Sequence, residues 1–182
     1  MPARPGQGAS ASRLAEILRV DHAGELAAVH IYRGQQAVFA AASGKAALAK
    51  GFKHLGEQEA VHLKAFDGLL AEHRVRPSLL TPLWRAAAFA LGAGTALLGE
   101  TAAHACTDAV EEVIQEHYAG QVVELAEREP ELAARLSSFR DDELAHQSQA
   151  VKDGARTAPG YPVLSALIRA GCRAAIRTAE KI

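Results

Sequence analysis

Residues 45–73 read KAALAKGFKHLGEQEAVHLKAFDGLLAEH, and the spacing inside this stretch decides the fold class. Leu48, Phe52, Leu55, His62, Phe66, Leu69 and Leu70 recur at intervals that keep to one helix face, with no proline to interrupt them. In the middle stands Glu59-Ala60-Val61-His62. Three residues along a helix advance about 4.5 Å and return to nearly the same direction, so this carboxylate and imidazole can reach one metal ion. The spacing returns 84 residues later in Glu143-Leu144-Ala145-His146. Chance alone can produce two Glu-x-x-His pairs in a chain with 8 histidines, so their setting has to decide.

Working outward, helical periodicity covers Arg13 to Ala42, Lys45 to His73, Glu100 to Arg128 and Pro130 to Gly154, and a last helix carries Leu164, Leu167, Ile168, Cys172 and Ile176. No segment alternates like a strand. A connection of about 25 residues separates the second helix from the third; it holds Arg74-Val75-Arg76-Pro77, Thr81-Pro82 and the chargeless run AAAFALGAGTALLG, Ala86 to Gly99. One long crossover between two helical hairpins marks a ferritin-like four-helix bundle. The expectation is therefore an all-α, ferritin-like bundle over residues 13–182 as a single domain, with an apolar crossover helix and an added C-terminal amphipathic helix. Residues 1–12, rich in Pro, Gly and Ser, are expected to be a flexible segment without the apolar core of a signal peptide.

Each Glu-x-x-His pair lies in the second helix of a hairpin and is preceded in the first by an acid: Glu25 lies 34 residues before Glu59, and Glu111 lies 32 before Glu143. Glu111 shares a stripe with Thr107, Ile114, Tyr118 and Val122, whereas Glu112 lies with Asp108, Glu116 and Ala119, a stripe that reads as solvated. Four carboxylates and two imidazoles inside one bundle repel unless cations balance them. Two divalent ions do so. Glu25, Glu59, His62, Glu111, Glu143 and His146 are thus the expected metal set, with Glu59 and Glu143 bridging, Glu25 and His62 on one ion, and Glu111 and His146 on the other. This ligand chemistry suits iron or manganese better than structural zinc. His117 and Tyr118 are candidate supports for the ligands, and Asp21, Asp142 and His22 are candidates to orient the imidazoles.

Composition excludes other classes. Lys plus Arg number 20 against 21 Asp plus Glu, for a net charge of -1, so no whole-molecule field collects nucleic acid. Cys106 and Cys172 form no disulfide framework, which points to a reducing compartment. Ala86 to Gly99 is short of the roughly 20 residues that span a bilayer, leaving contact with one leaflet. Arg169, Arg173, Arg177 and Lys181 form a basic stripe on the last helix, which suits anionic lipid, and Leu79, Leu80, Leu83, Trp84 and Phe89 add an apolar surface. The Gly92-Ala93-Gly94 run reads as close helix packing or a lipid-facing surface, since it follows no strand as a dinucleotide fingerprint does.

The runs Arg19-Val20-Asp21-His22-Ala23-Gly24-Glu25, Val75-Arg76-Pro77, Pro82-Leu83-Trp84, Phe89 to Gly99, Val110-Glu111-Glu112 and Phe139-Arg140-Asp141-Asp142-Glu143 resemble the demethoxyubiquinone hydroxylase family of ubiquinone biosynthesis. The resemblance covers nearly the whole chain after about Ser12. It implies a di-iron monooxygenase, with two iron ions per chain rather than manganese, that hydroxylates the ring of a polyprenylated demethoxyquinol with dioxygen. It carries the same six ligands over by motif; Ala145 and Gln147, beside the last of them, are less polar than the family pattern. It further implies NADH or another electron donor, a lipid-binding accessory protein and a peripheral place on an inner membrane, on the bacterial cytoplasmic or mitochondrial matrix face. A homo-oligomer is also allowed. The rival readings are a ferritin-like iron-oxidising or storage protein and a non-redox lipid-binding bundle.

Overall fold

A computed structural model of the chain describes residues 7–182, with side chains from Ser12 onward. The helices are α1 (Gln7–Ala41), α2 (Ala46–His73), α3 (Thr81–Leu97), α4 (Glu100–Leu125), α5 (Pro130–Lys152) and α6 (Tyr161–Ala179), with a short 3-10 turn at Ala155–Thr157 before the last. No strand occurs among the described residues. The bundle is all-α and ferritin-like, as the helical period and the single crossover require. Of the segment expected to be flexible, residues 1–6 lie outside the described residues, and Gln7 to Ser12 belong to α1.

The crossover is more ordered than its punctuation suggested. Pro82 sits in the first turn of α3, where its missing N–H costs nothing, so Thr81-Pro82 begins a helix instead of a loop. Two glycines then bring α3 against α1. A Cβ on Gly92 would lie 2.0 Å from the Ile31 carbonyl oxygen, and one on Gly34 would lie 2.3 Å from that of Phe89. Only glycine fits at these two points, and the packing half of the expectation for the Gly92 run holds. Two residues past the end of α3, Gly99, with a φ of 121°, lets the chain turn straight into α4.

α1 packs chiefly on α2 and α3, and α4 on α5 and α6, so the two hairpins of the bundle each carry an additional helix. One apolar cluster joins Ile17, Leu18, Phe66, Leu70, Leu125 and Leu136, and another joins Tyr32, Phe39, Ala49, Phe52 and Ala103. Each fully buried Leu, Ile or Phe contributes roughly 1.5–3 kcal/mol, and these clusters offset the cost of the polar site buried in the same bundle.

Three of the four cations in the basic stripe of the last helix stand beside acids of α1 and α4, and Arg177 is exposed without a partner among the described residues. Arg169 binds Glu112 at 2.9 Å, Arg173 binds Glu116 at 3.0 Å and Lys181 reaches Glu16 at 3.5 Å. The physical reason is that Glu112 and Glu116, one turn apart on α4, meet Arg169 and Arg173, one turn apart on α6. A correction concerns Asp108, expected in the solvated stripe of α4. It is fully buried, because the Tyr161 hydroxyl and Gln147 Nε2 donate to its two oxygens and tie α4 to α5 and α6. Both cysteines are free, and no described helix is long and apolar enough to cross a membrane.

Candidate metal centre

The two hairpins bring all six singled-out side chains into the bundle interior. Each carboxylate of Glu25, Glu59, Glu111 and Glu143 is 1 % exposed or less, while His62 and His146 are buried at 4 and 6 %. They form two groups that share Glu59 and Glu143: Glu25 and His62 complete one, Glu111 and His146 the other, and the potential ligand atoms of each group lie within 4.8 Å of one another. Both imidazoles turn the same nitrogen inward. His62 Nδ1 lies 3.2 Å from Glu143 Oε1 and 3.5 Å from both Glu25 Oε2 and Glu59 Oε2. His146 Nδ1 lies 2.9 Å from Glu59 Oε1 and 3.2 Å from Glu143 Oε2.

The outer faces of these side chains are held by neighbours. Tyr118 on α4 donates its hydroxyl to Glu25 on α1, and Tyr32 on α1 donates to Glu111 on α4. The bonds cross between the halves: each tyrosine stands seven residues after the acid of its own helix and grips the acid of the other. Tyr118 was a candidate support; the role of Tyr32 was missed, although its equal offset from Glu25 is the signal that could have found it. Asp142 Oδ2 lies 3.2 Å from Nε2 of His62 and orients that ring, which also stacks on Phe139. His22 binds Asp67 instead of a candidate ligand, at 3.1 Å. Asp21 accepts from Gln121 at 2.8 Å and lies 3.4 Å from His117, so neither Asp21 nor His117 touches the six.

Burial is the largest cause acting on these groups. Reinforced by Glu143 and Glu59, it pushes Glu111 well above the usual carboxylate range, and it raises Glu25 likewise despite the opposing proximity of His62. For His146 burial acts downward but is outweighed by the close carboxylates of Glu143 and Glu59, which push the imidazole up to about 10. His62 rises by the same balance, against burial and through Glu143, Glu25 and Glu59. Burial beside carboxylates raises both tyrosines well above their ordinary value, so they remain protonated donors.

Glu25 Oε2, both oxygens of Glu59, Glu111 Oε2, Glu143 Oε1 and His62 Nδ1 are buried without a hydrogen-bond partner. An orphaned buried polar atom costs about 1–3 kcal/mol, more when charged, and six gathered at one place call for a ligand common to all. Divalent cations fit. Their charge balances the acids, and the orphaned atoms are oxygen and imidazole donors of the kind such ions accept.

The family model for "Ubiquinone biosynthesis protein COQ7" matches residues 12–179. The chain belongs to the COQ7 family. Among relatives of this COQ7-family chain, the 3-demethoxyubiquinol 3-hydroxylase of Rhodospirillum rubrum is 48% identical, over 98% of this chain and 82% of its own. The NADPH-dependent 3-demethoxyubiquinone 3-hydroxylase, mitochondrial, of Homo sapiens is 46% identical over 91% of this chain and 76% of its own. The 5-demethoxyubiquinone hydroxylase, mitochondrial, of Saccharomyces cerevisiae is 44% identical over 96% and 80%. Matches of this extent place the six buried side chains, and the helices that carry them, within the region this chain has in common with the COQ7 family.

Proposed function

We infer that this chain is a 3-demethoxyubiquinol 3-hydroxylase, an oxidoreductase of ubiquinone biosynthesis that replaces a ring C–H of a polyprenylated quinol by C–OH. The observation that carries the reading is the pair of buried donor groups sharing Glu59 and Glu143, in a chain whose relatives along nearly its whole length are named hydroxylases of this ring. Glu25, Glu59, His62, Glu111, Glu143 and His146 would hold two iron ions. When bound, such a pair supplies two-electron chemistry toward dioxygen. One oxygen atom enters the ring and the other leaves as water, for which two electrons and two protons are required. A reduced pyridine dinucleotide is the donor we assign, in keeping with the NADPH-dependent relatives.

The residues of the chain define the rest. Tyr32 and Tyr118 fix the outer carboxylates, and Asp142 fixes the His62 ring. A narrow apolar cleft of about 90 Å³ runs between α1, α3, α4 and α6, lined by residues including Val20, Gly24, Trp84, Ile114, Cys172 and Ile176. Gly24 and Val110, both on its wall, immediately precede Glu25 and Glu111. This cleft is the path for the quinol ring. A cavity of about 150 Å³ takes a benzene-sized guest, so a substituted ring requires α3 or α6 to give way as it enters. Outside the cleft, Leu79, Leu83, Leu97, Val163 and Leu167 are exposed, an apolar surface on which a prenyl tail can remain in lipid while its ring enters. A peripheral position on a membrane follows, and an iron-storage protein has no use for either feature.

The test incubates iron-loaded protein with a demethoxyquinone, reduced pyridine dinucleotide and dioxygen, and looks by mass spectrometry for a product heavier by one oxygen. The product is expected from the native chain and not from Glu143→Ala. An unchanged yield from that variant would overturn the site; no product from a protein holding two irons and reduced, bound quinol would favour a ferritin-like oxidase.

A further inference from the structure

Arg169, Arg173 and Lys181 of the last helix stand beside acids, and Arg177 alone of that stripe is exposed without a partner among the described residues, so further free positive charge has to be sought elsewhere in the fold. A second cavity, about 440 Å³ in volume, lies where the start of α1 meets the end of α2 and the connector behind it. Arg19, His73, Arg74 and Arg76 converge on it, with Leu14 and Val75 among its apolar walls, and no carboxylate lines it. In a chain of net charge -1 this is a local excess and not a general bias. Arg19 is already oriented, donating to the backbone carbonyls of Arg76 at 3.3 Å and Glu180 at 3.5 Å. His73, Arg74 and Arg76 are exposed, and their side chains have no hydrogen-bond or ion-pair partner among the described residues. Of the nearby acids, Glu16 binds Arg13 and Lys181 and Glu180 binds Arg13, while Glu72, next in sequence to His73, is exposed and does not line the cavity.

The apolar surroundings identify the kind of anion. Three residues beyond Arg76 stands Leu79, 76% exposed, and one helical turn further Leu83, 55% exposed. The backbone N–H of Leu79 donates to the backbone oxygen of Ile182 at 3.2 Å, and the Ile182 side chain, 43% exposed, adds to this apolar surface. Guanidinium groups beside projecting leucines match the boundary of a bilayer, where phosphates lie just outside the acyl chains. We propose that the pocket of Arg19, His73, Arg74 and Arg76 binds the phosphate of an anionic lipid headgroup and so fixes how α3 lies on the membrane. The proposal rests on the peripheral-membrane reading above and deepens it. It places an electrostatic contact at the connector between α2 and α3, apart from the exposed Arg177 of the last helix.

Flotation with vesicles of phosphatidylcholine, with and without phosphatidylglycerol, tests it on the iron-loaded full chain. The double variant Arg74→Glu/Arg76→Glu is compared with Lys50→Glu/Arg135→Glu, an equal charge change at exposed, unpaired positions on α2 and α5. Each cation near an anionic surface contributes about 1 kcal/mol, so the pocket variant is expected to lose at least about tenfold in affinity for the anionic vesicles, and the control less than about twofold. Turnover of a short-tailed quinol in detergent should stay equal in all three, which shows that the variants are folded. Equal losses in both variants, or no loss in the pocket variant, would overturn the assignment. Displacement of the native chain by inorganic phosphate at constant ionic strength would give the pocket to the free anion and overturn the lipid source. A native chain that binds neither vesicle would overturn the membrane reading itself, and is distinguishable from failure of the pocket alone.

Discussion

The crossed tyrosines each hold one carboxylate of the proposed metal centre through a single hydroxyl group. Tyr118→Phe removes the donor to Glu25 and leaves a fully buried carboxylate oxygen unsatisfied, with almost no change in packing volume. The expected outcome is about 10–100-fold weaker binding of Co²⁺ or Fe²⁺ in anaerobic titration, as for other groups that orient ligands, with the helical circular dichroism retained. Tyr32→Phe should act alike through Glu111. The protonation of the ligands adds a pH prediction with a definite sign. Without metal, Glu25, Glu111, His62 and His146 all hold their protons to higher pH than such groups ordinarily do. Metal must displace those protons, so affinity rises with pH, by about tenfold per unit for each proton lost. Competition titrations at pH 6 and 8 would measure this slope, and a slope of zero would show that the donors are already deprotonated. The spacing of the two Glu-x-x-His pairs and of Glu25 and Glu111 made these six residues legible, because helical phase alone brings them inward. Asp108 was misread, because its partners Gln147 and Tyr161 lie on other helices that no local period reports.

At the scale of elements, the contacts of α3 and α6 with α1 and α4 govern the cleft. No atom lies within 4 Å of the Cβ that a side chain at Gly24 would add, so the backbone tolerates substitution there, and the new side chain projects where the cleft lies. Gly24→Leu should keep its iron content and fold, and gain helix propensity of up to about 1 kcal/mol, while KM for the quinol rises several-fold. An unchanged KM would remove this cleft as the path of the ring. Gly92→Ala is the opposite case, since its Cβ would meet the Ile31 backbone at 2.0 Å. It should lower stability by about 1–3 kcal/mol, read by urea unfolding, because two helix backbones must separate to admit one methyl group. The helices themselves were legible to within a few residues from apolar period, Pro130 and the Ser43-Gly44 pair that separates the first two periodic stretches. The direction of the α6 basic stripe was not. Amphipathicity tells that one face is charged, but whether lipid or Glu112 and Glu116 meets it depends on docking against α4.

For the whole molecule, the proposed metal centre and the fold would be coupled through one free-energy difference. The native bundle gathers four buried carboxylates from four separate helices, and unfolding disperses them into water. Metal that binds the native state alone therefore stabilises it by RT ln(1 + [L]/Kd), about 2.7 kcal/mol at a hundredfold excess over Kd. Calorimetric melting should show a higher Tm after anaerobic Fe²⁺ loading, returning to the metal-free value after chelation. Glu59→Gln separates this effect from a general influence of ions. Glu59 belongs to both donor groups, so one substitution removes a charged ligand shared by the two proposed ions. In the metal-free protein the same change replaces a carboxylate by a neutral amide among Glu143, His62 and His146, easing repulsion between acids while losing the attraction of the imidazoles. The metal-free Tm is consequently expected to move little, whereas the rise on loading should shrink sharply. A variant with the full native rise would show that the ions bind somewhere other than between the hairpins.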